Sequence, residues 1–405
     1  MQEYLVKCQD KWWHFFIKPF YGLCYRKRES GRFLNFEVLL ADACEDFCAV
    51  SMGKSIHIVC QDKAGSIIYL SLDDSGWQHS VLLESKSPVP YPKHFLLIPV
   101  GNFLNLFYVI TYQEKQMLVH QILGVKDRPP TVVDRIVCGM PAFLAKPHTG
   151  TDISVFYKNE SGVSGCRVFR WSRKEFGRFM PIHPELHSEV CAVFMEKGER
   201  IRYAASQKVE TIHNLIYFEK TEEGDFNTPV TVNLDCPEDA MPVFWQDGER
   251  LYLLWRESGS VMSSHSTDDG AGWSKPVRYM KGTSVAPVLY TLFENGRSSL
   301  LYGFEKERDI VFYCGAGILD APEKQNARQL RPAGYEVEDF VRSVVAIENE
   351  PEAQGDPAML QLKEEFLRLK EQFFSLRRGM AELTERVELL ERMHQKESGG
   401  DASEE

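Results

Sequence analysis

No stretch of this 405-residue chain approaches the roughly 18 consecutive apolar residues that a membrane-crossing helix needs. Its start, MQEYLVKCQDKWWHFFIKP, also lacks the basic region, apolar core and small-residue cleavage site of a secretion signal. A cytoplasmic protein with no membrane partner is expected. Cys-x-x-Cys pairs are missing as well, although ten cysteines are present, at positions 8, 24, 44, 48, 60, 138, 166, 191, 236 and 314. Scattered through apolar runs such as IHIVC and IVFYC, they read as buried free thiols rather than disulfides. Cys44 and Cys48 are the nearest pair, and no histidine cluster sits beside them to complete a zinc site. The histidines fall in different segments without H-x-x-x-H or H-E-x-x-H spacing, so no metal and no cofactor is expected. A G-x-S-x-G elbow, a G-x-x-x-x-G-K-[ST] loop and a G-x-G-x-x-G turn are all absent, which argues against the commonest hydrolase and nucleotide chemistries.

Basic charge is scarce too. The formal net charge is -11, and residues 336–405 carry 9 Lys and Arg against 18 Asp and Glu, leaving 38 against 40 for the rest. Neither part offers the cationic stripe that neutralises phosphates, so nucleic acid is not an expected partner.

Aromatics, in contrast, reach 12%, a level that suits pleated, half-buried strands. Across residues 1–317 a pattern of about 44–52 residues recurs: an apolar run, a turn, a stronger apolar run, a loop, a third run, then a turn ending in Gly and an aromatic. First runs begin near Tyr4, Phe47, Phe95, Pro141, Val190, Met241 and Pro287, and second runs include WWHFFIKPF, SIHIVC, FLNLFYVITY and RLYLLWR. Each is short, rich in β-branched and aromatic residues and bounded by turn residues, the grammar of strands. A four-stranded sheet cannot bury both faces alone, whereas sheets set around an axis bury each against the next. The pattern therefore predicts an all-β propeller over residues 1–334, with seven blades preferred and six left open. The last repeat shows no fourth strand; ARQLRPA or a segment from the N-terminus could complete it.

Between the third and fourth runs of the sixth repeat, Ser266-Thr-Asp268-Asp-Gly270-Ala-Gly-Trp273 fits S-x-D-x-G-x-x-W at every defined position. A second copy, Ser71-Leu-Asp73-Asp-Ser-Gly76-Trp77, is one residue short, and Gly31/Phe33, Gly177/Phe179 and Gly224/Phe226 keep a glycine and an aromatic two apart at the same place. The motif resembles the Asp-box (BNR repeat) of the sialidase-like β-propeller superfamily. It is a turn, not a catalytic device: Asp268 is suited to accept backbone N–H bonds, Gly270 to adopt positive φ, and Trp273 to wedge between strands.

Active members of that superfamily carry an F/Y-R-I-P motif, an arginine triad, a Tyr/Glu pair and an aspartate acid/base. The nearest string here, Phe16-Ile17-Lys18-Pro19, has no arginine, and a lysine cannot supply bidentate carboxylate recognition. The resemblance implies a binding or scaffold protein without catalytic residues. It further implies that loops joining second to third strands surround the channel mouth, opposite the Asp-boxes. Candidate ligand-binding residues there are Trp255, Arg256, Glu257, Lys158, Glu160, Asp62 and Glu305, with a protein or a glycan as ligand. The alternative is a glycoside hydrolase or sialidase-like enzyme using Asp62, Glu160, Glu257 and Glu305, since glycosidic cleavage needs two carboxyls about 5–10 Å apart.

After Gly334 the grammar changes. Residues 335–357 read as an acidic helix and linker, 358–397 as a coiled coil and 398–405 as a disordered tail. Met359, Leu362, Phe366, Leu369, Phe373, Leu376, Met380, Leu383, Val387 and Leu390 recur at alternating spacings of three and four, a heptad pattern. Self-association as a dimer or trimer through residues 359–394 is expected, against the reading of one amphipathic helix lying on the propeller.

Overall fold

The computed structural model describes residues 2–313 except 87–90, 126–128, 140, 149, 184–187, 196–199, 222–223 and 279–285. The expected acidic helix, the coiled coil, the tail and ARQLRPA lie outside the described residues. Everything described falls within the compact unit Met1–Ala333.

The described part is all β, and each expected run of the seven repeats becomes a strand. In the second repeat, for example, the strands are Ala43–Met52, Ser55–Asp62, Ile67–Asp73 and Gly76–Leu83. They pair antiparallel in sequence order, so the sheet is a simple meander. The second strand is buried on both faces from Ile56 to Gln61, whereas the fourth, GWQHSVLL, is mostly exposed. This gradient explains the composition. Continuous apolar runs mark strands covered on both faces, and alternating or polar ones mark the rim.

Four further meanders span Leu96–Ile136, Phe143–Pro181, Ser188–Asn233 and Val243–Arg278. The first and last repeats share one 8-stranded sheet. In it the N-terminal strand Gln2–Cys8 pairs in parallel with Val288–Glu294, Gln2 opposite Leu289 and Val6 opposite Phe293. The N-terminal segment therefore adds a strand to the sheet of the last repeat, in line with one of the two options drawn from the sequence, but beside its first strand and not after its third. It joins the first strand of that repeat, at the opposite edge from Asp309–Phe312.

The apolar cores lie between successive sheets and form a closed circuit. Tyr25, Phe47, Ile58 and Leu106 join the first three repeats. Phe107 and Phe143 join the third and fourth, Phe156 and Tyr203 the fourth and fifth, and Tyr217 and Trp255 the fifth and sixth. Leu254 and Tyr302 bring the sixth onto the seventh, and Trp12 and Tyr290 bring the seventh back to the first. Sheets stacked face to face in a ring define a propeller-like fold. Burying one large apolar side chain at such a seam contributes about 1.5–3 kcal/mol, so the seams dominate stability.

Two arginine forks reinforce the junction of first and last repeats. Arg26 donates to both carboxylate oxygens of Glu305 at 2.8 Å, and the buried Arg28 reaches Asp309 at 3.1 and 3.0 Å. Nearby, His14 accepts from Arg26 Nε at 2.9 Å through Nδ1 and lies 2.5 Å from Glu3 through Nε2. Because Nδ1 is an acceptor, Nε2 carries the proton and His14 is neutral. Its pKa is lowered first by burial.

Candidate functional site

The turn Ser266–Trp273 is closed by hydrogen bonds of its own side chains and backbone. Asp268 Oδ1 accepts from Ser266 Oγ and from the backbone N–H of Gly272, both at 2.8 Å, while Ser266 Oγ accepts from Gly270 N at 2.7 Å. Those donors hold the Asp268 carboxyl below its ordinary pKa, the Gly272 N–H first. Gly270 has φ +96, and a Cβ there would meet the Tyr217 ring at 2.5 Å. Trp273 packs on the same ring, centroids 5.2 Å apart, so it wedges between neighbouring sheets rather than within one.

The shorter copy closes differently. Asp73 Oδ1 accepts from the N–H of Ser75 at 2.8 Å and from its hydroxyl at 2.5 Å, while Ser71 precedes it in the third strand. Gly76 takes φ +101 and Trp77 stacks edge-on against Trp13 and Phe15. Gly31 and Gly224 also have positive φ, whereas Gly177 does not; in that turn Lys174 takes the left-handed conformation.

Meander sheets entered in the same sense put their turns at two ends. Turns after second strands share one end with the links to the next repeat, where Glu160 bridges Lys115 at 3.2 Å and Arg135 at 3.4 Å. Turns after first and third strands share the other, where Gln9 Nε2 donates to Lys54 O at 3.2 Å and Asp269 takes Arg200 and Arg202 from the preceding repeat.

At the end with the second-to-third turns the sequence candidates are mostly engaged already. Asp62 caps its own turn, accepting from Ser66 N at 2.7 Å. Glu305 is held by Arg26, which lowers its pKa, and Glu160 is lowered first by Lys115. Arg256 reaches Asp239 at 3.0 Å, and Lys158 ends its strand half-buried beside a narrow cleft shared with Glu189. Trp255 is a correction to the sequence reading. It is 0% exposed, its indole donates to Glu257 at 3.2 Å, and it belongs to the seam with Tyr217, so no ring face is open to a ligand. Tyr112, which the sequence places in such a turn, does project there, and so do residues that the sequence did not single out: Phe20 and Tyr21 in the first turn, Val163, Val209 and Ile212 in later ones.

Phe20 is the extreme case, fully exposed and in the left-handed region with φ +68. Beside it Lys18 Nζ lies 3.7 Å from the Phe36 ring centroid, and Tyr21 meets the same ring at 5.5 Å. The signal was visible as two adjacent aromatics after Pro19, but the apolar run WWHFFIKPF absorbed Phe20 into a strand.

The opposite end is polar and opens a cavity of about 490 Å³, lined by the turns after four first strands: Lys7–Asp10, Ser51–Gly53, Pro99 with Gly101, and Asn295–Gly296. Nothing in the sequence singled out these residues, because each turn alone is an ordinary hairpin. Among the described residues no group of three or more His, Cys, Asp and Glu could hold a metal ion.

Fold and site together define an all-β, propeller-like protein whose strand ends carry contrasting surfaces. No family model and no curated protein matches the sequence. Among solved structures, the chain resembles an ulvan lyase of a new polysaccharide lyase family, with TM-score 0.51, 9% identity, and coverage of 76% of this chain and 90% of the lyase. It also resembles the Aleuria aurantia fungal lectin, described as a six-bladed β-propeller, with TM-score 0.39, 14% identity, and coverage of 73% of this chain and 99% of the lectin. The lectin AofleA from Arthrobotrys oligospora follows at TM-score 0.38 and 13% identity, over 66% of this chain and 81% of that one. At such identities the lyase likeness is one of fold alone.

Proposed function

We propose that the chain is a non-enzymatic binding protein: a seven-bladed propeller of the sialidase-like Asp-box kind, tied into dimers or trimers by the heptads of residues 359–394, that docks a protein partner with the end bearing its second-to-third turns. Phe20 carries the proposal. A bulky residue at positive φ is strained, and strain held in place on a fully exposed aromatic is a cost that points to use. Apolar side chains crown this end in four separate turns, while Leu34 is the exposed large apolar residue at turns of the other end among the described residues. Aromatic anchors of this kind dominate interface energetics. A glycan stacking on the open faces of Phe20 and Tyr21 is the second occupant this end suits.

The chemistry of the carboxyls supports binding over catalysis. A general acid needs a raised pKa, whereas Asp73, Glu160, Asp268 and Glu305 all depart downwards. Nine described cysteines, six of them buried, are free thiols, which supports a cytosolic setting.

The test is a photo-crosslinking residue placed at position 20 and, separately, at position 54 on the opposite end, in the cell that makes the protein. A discrete adduct from position 20 and not from 54 is expected. Equal labelling from both positions, or none from 20, would overturn the docking end.

A further inference from the structure

The cavity at the polar end is a second candidate site, independent of the docking face. Its wall is made by four two-residue hairpin turns that converge from the first, second, third and seventh repeats. These turns are nearly free of bulk: Gly53, Gly101 and Gly296 have φ +62, +57 and +74, with nothing within 4 Å of a Cβ, and Gln9, Asp10 and Asn295 are left-handed too. Small turns in this geometry let a ligand approach the backbone itself.

The lining is polar and, with Lys7 paired, carries one carboxylate, that of Asp10. Lys7 is paired with Glu294 at 2.7 Å, and its carbonyl accepts from Ser51 Oγ at 2.8 Å. Gln9 spends its amide N–H on Lys54 O and keeps its Oε1. Among the described residues, neither the Asp10 carboxylate nor the Asn295 amide has a hydrogen-bond partner. The cavity thus offers mainly acceptors, Asp10, Gln9 Oε1 and Asn295 Oδ1, with Asn295 Nδ2 as donor. It has no arginine fork for a phosphate or carboxylate and no aromatic face for a base, while Cys8, Met52 and Pro99 supply an apolar floor. Acceptors over such a floor suit a ligand rich in hydroxyl donors with some apolar C–H surface. A volume of about 490 Å³ lies within the ordinary range for small-molecule sites.

We propose that this cavity binds a small neutral polyhydroxylated molecule of mono- or disaccharide size, with Asp10 and Asn295 as its principal hydrogen-bonding groups.

Ligand-observed saturation-transfer NMR on the full chain tests it, with methyl glycosides of neutral hexoses, two neutral disaccharides, inorganic phosphate and spermidine as probes. Transfer to at least one neutral sugar is expected, weakened about tenfold by Asp10→Ala and by Asn295→Ala, since each hydrogen bond to a charged or well-placed group carries about that factor. Ser51→Trp, which fills the cavity, should abolish it. Should that variant not fold, the double variant Asp10→Ala, Asn295→Ala decides, because both side chains stand free of partners. Phosphate or spermidine binding in place of sugar, sugar binding unchanged in these variants, or no sugar binding at all would each overturn the proposal. None of these results bears on crosslinking at position 20.

Discussion

Arg28 and Asp309 stand 281 residues apart in the chain, yet they meet side by side in a buried two-pronged ion pair between the first and last repeats. Both side chains are largely shielded, 4% and 12% exposed. Removing Arg28 leaves the Asp309 carboxylate as a buried charge without its arginine, a situation that costs about 3–5 kcal/mol. Arg28→Leu should therefore lower stability in urea by that order, while Arg28→Leu with Asp309→Leu recovers most of the loss. A double variant as unstable as the single one would show that the pair is favourable in itself.

Gly270 and Gly76 separate two roles of a turn glycine. Both have positive φ, but a Cβ at Gly270 strikes the Tyr217 ring whereas one at Gly76 meets nothing within 4 Å. Gly76→Ala should cost about 1 kcal/mol through backbone conformation alone. Gly270→Ala should cost clearly more, and thermal melts of both variants compare them directly. Equal losses would mean that the sheet seam yields freely to the added methyl.

His57 sets a window of pH dependence. Burial pushes its pKa from 6.5 down to about 4, with Nδ1 held 2.7 Å from the Tyr69 hydroxyl. The unfolded chain binds a proton at higher pH than the folded one, so stability is full above 6.5 and falls as pH drops towards 4. Linkage makes the loss on the order of 3 kcal/mol. His57→Phe should flatten stability across that window in urea titrations at several pH values; an unchanged slope would assign it to other groups.

Removal of residues 358–405 should leave a folded monomer, measured by light scattering with circular dichroism as the check on fold. A truncated chain that remains oligomeric would place self-association in the propeller instead of the heptads.

Catalysis by Asp62, Glu160, Glu257 or Glu305 predicts turnover of some fluorogenic glycoside by the full chain. None is expected, since Asp62, Glu160 and Glu305 are spent on their own turns or on neighbouring cations and Glu257 accepts from a buried indole. Turnover that survives purification and disappears in Glu160→Gln or Glu257→Gln would revive the hydrolase reading.

Much of the fold was legible because strand burial writes itself into local composition. SIHIVC is mostly apolar because both its faces are covered, and the Ser266–Trp273 turn is legible because each of its bonds lies within seven residues of chain. Long-range pairing leaves no such mark. Nothing in QEYLVKC says that its partner is VLYTLFE, so the edge of the last repeat that an N-terminal segment joins was not legible. Trp255 misled for a related reason: two residues before a polar turn it looks exposed, but the meander places it on the covered face of its strand. The small-molecule cavity was invisible because it belongs to no one segment.

The parallel pairing of Gln2–Cys8 with Val288–Glu294 also has a temporal side. Gln2–Cys8, once made, must wait for a partner made nearly three hundred residues later, a delay of roughly 15–60 s at ordinary translation speeds. Throughout that interval Leu5 and Trp12 have no seventh repeat to cover them. Nascent chains stalled before residue 288 should therefore be favoured clients of chaperones, and those released after residue 313 much less so.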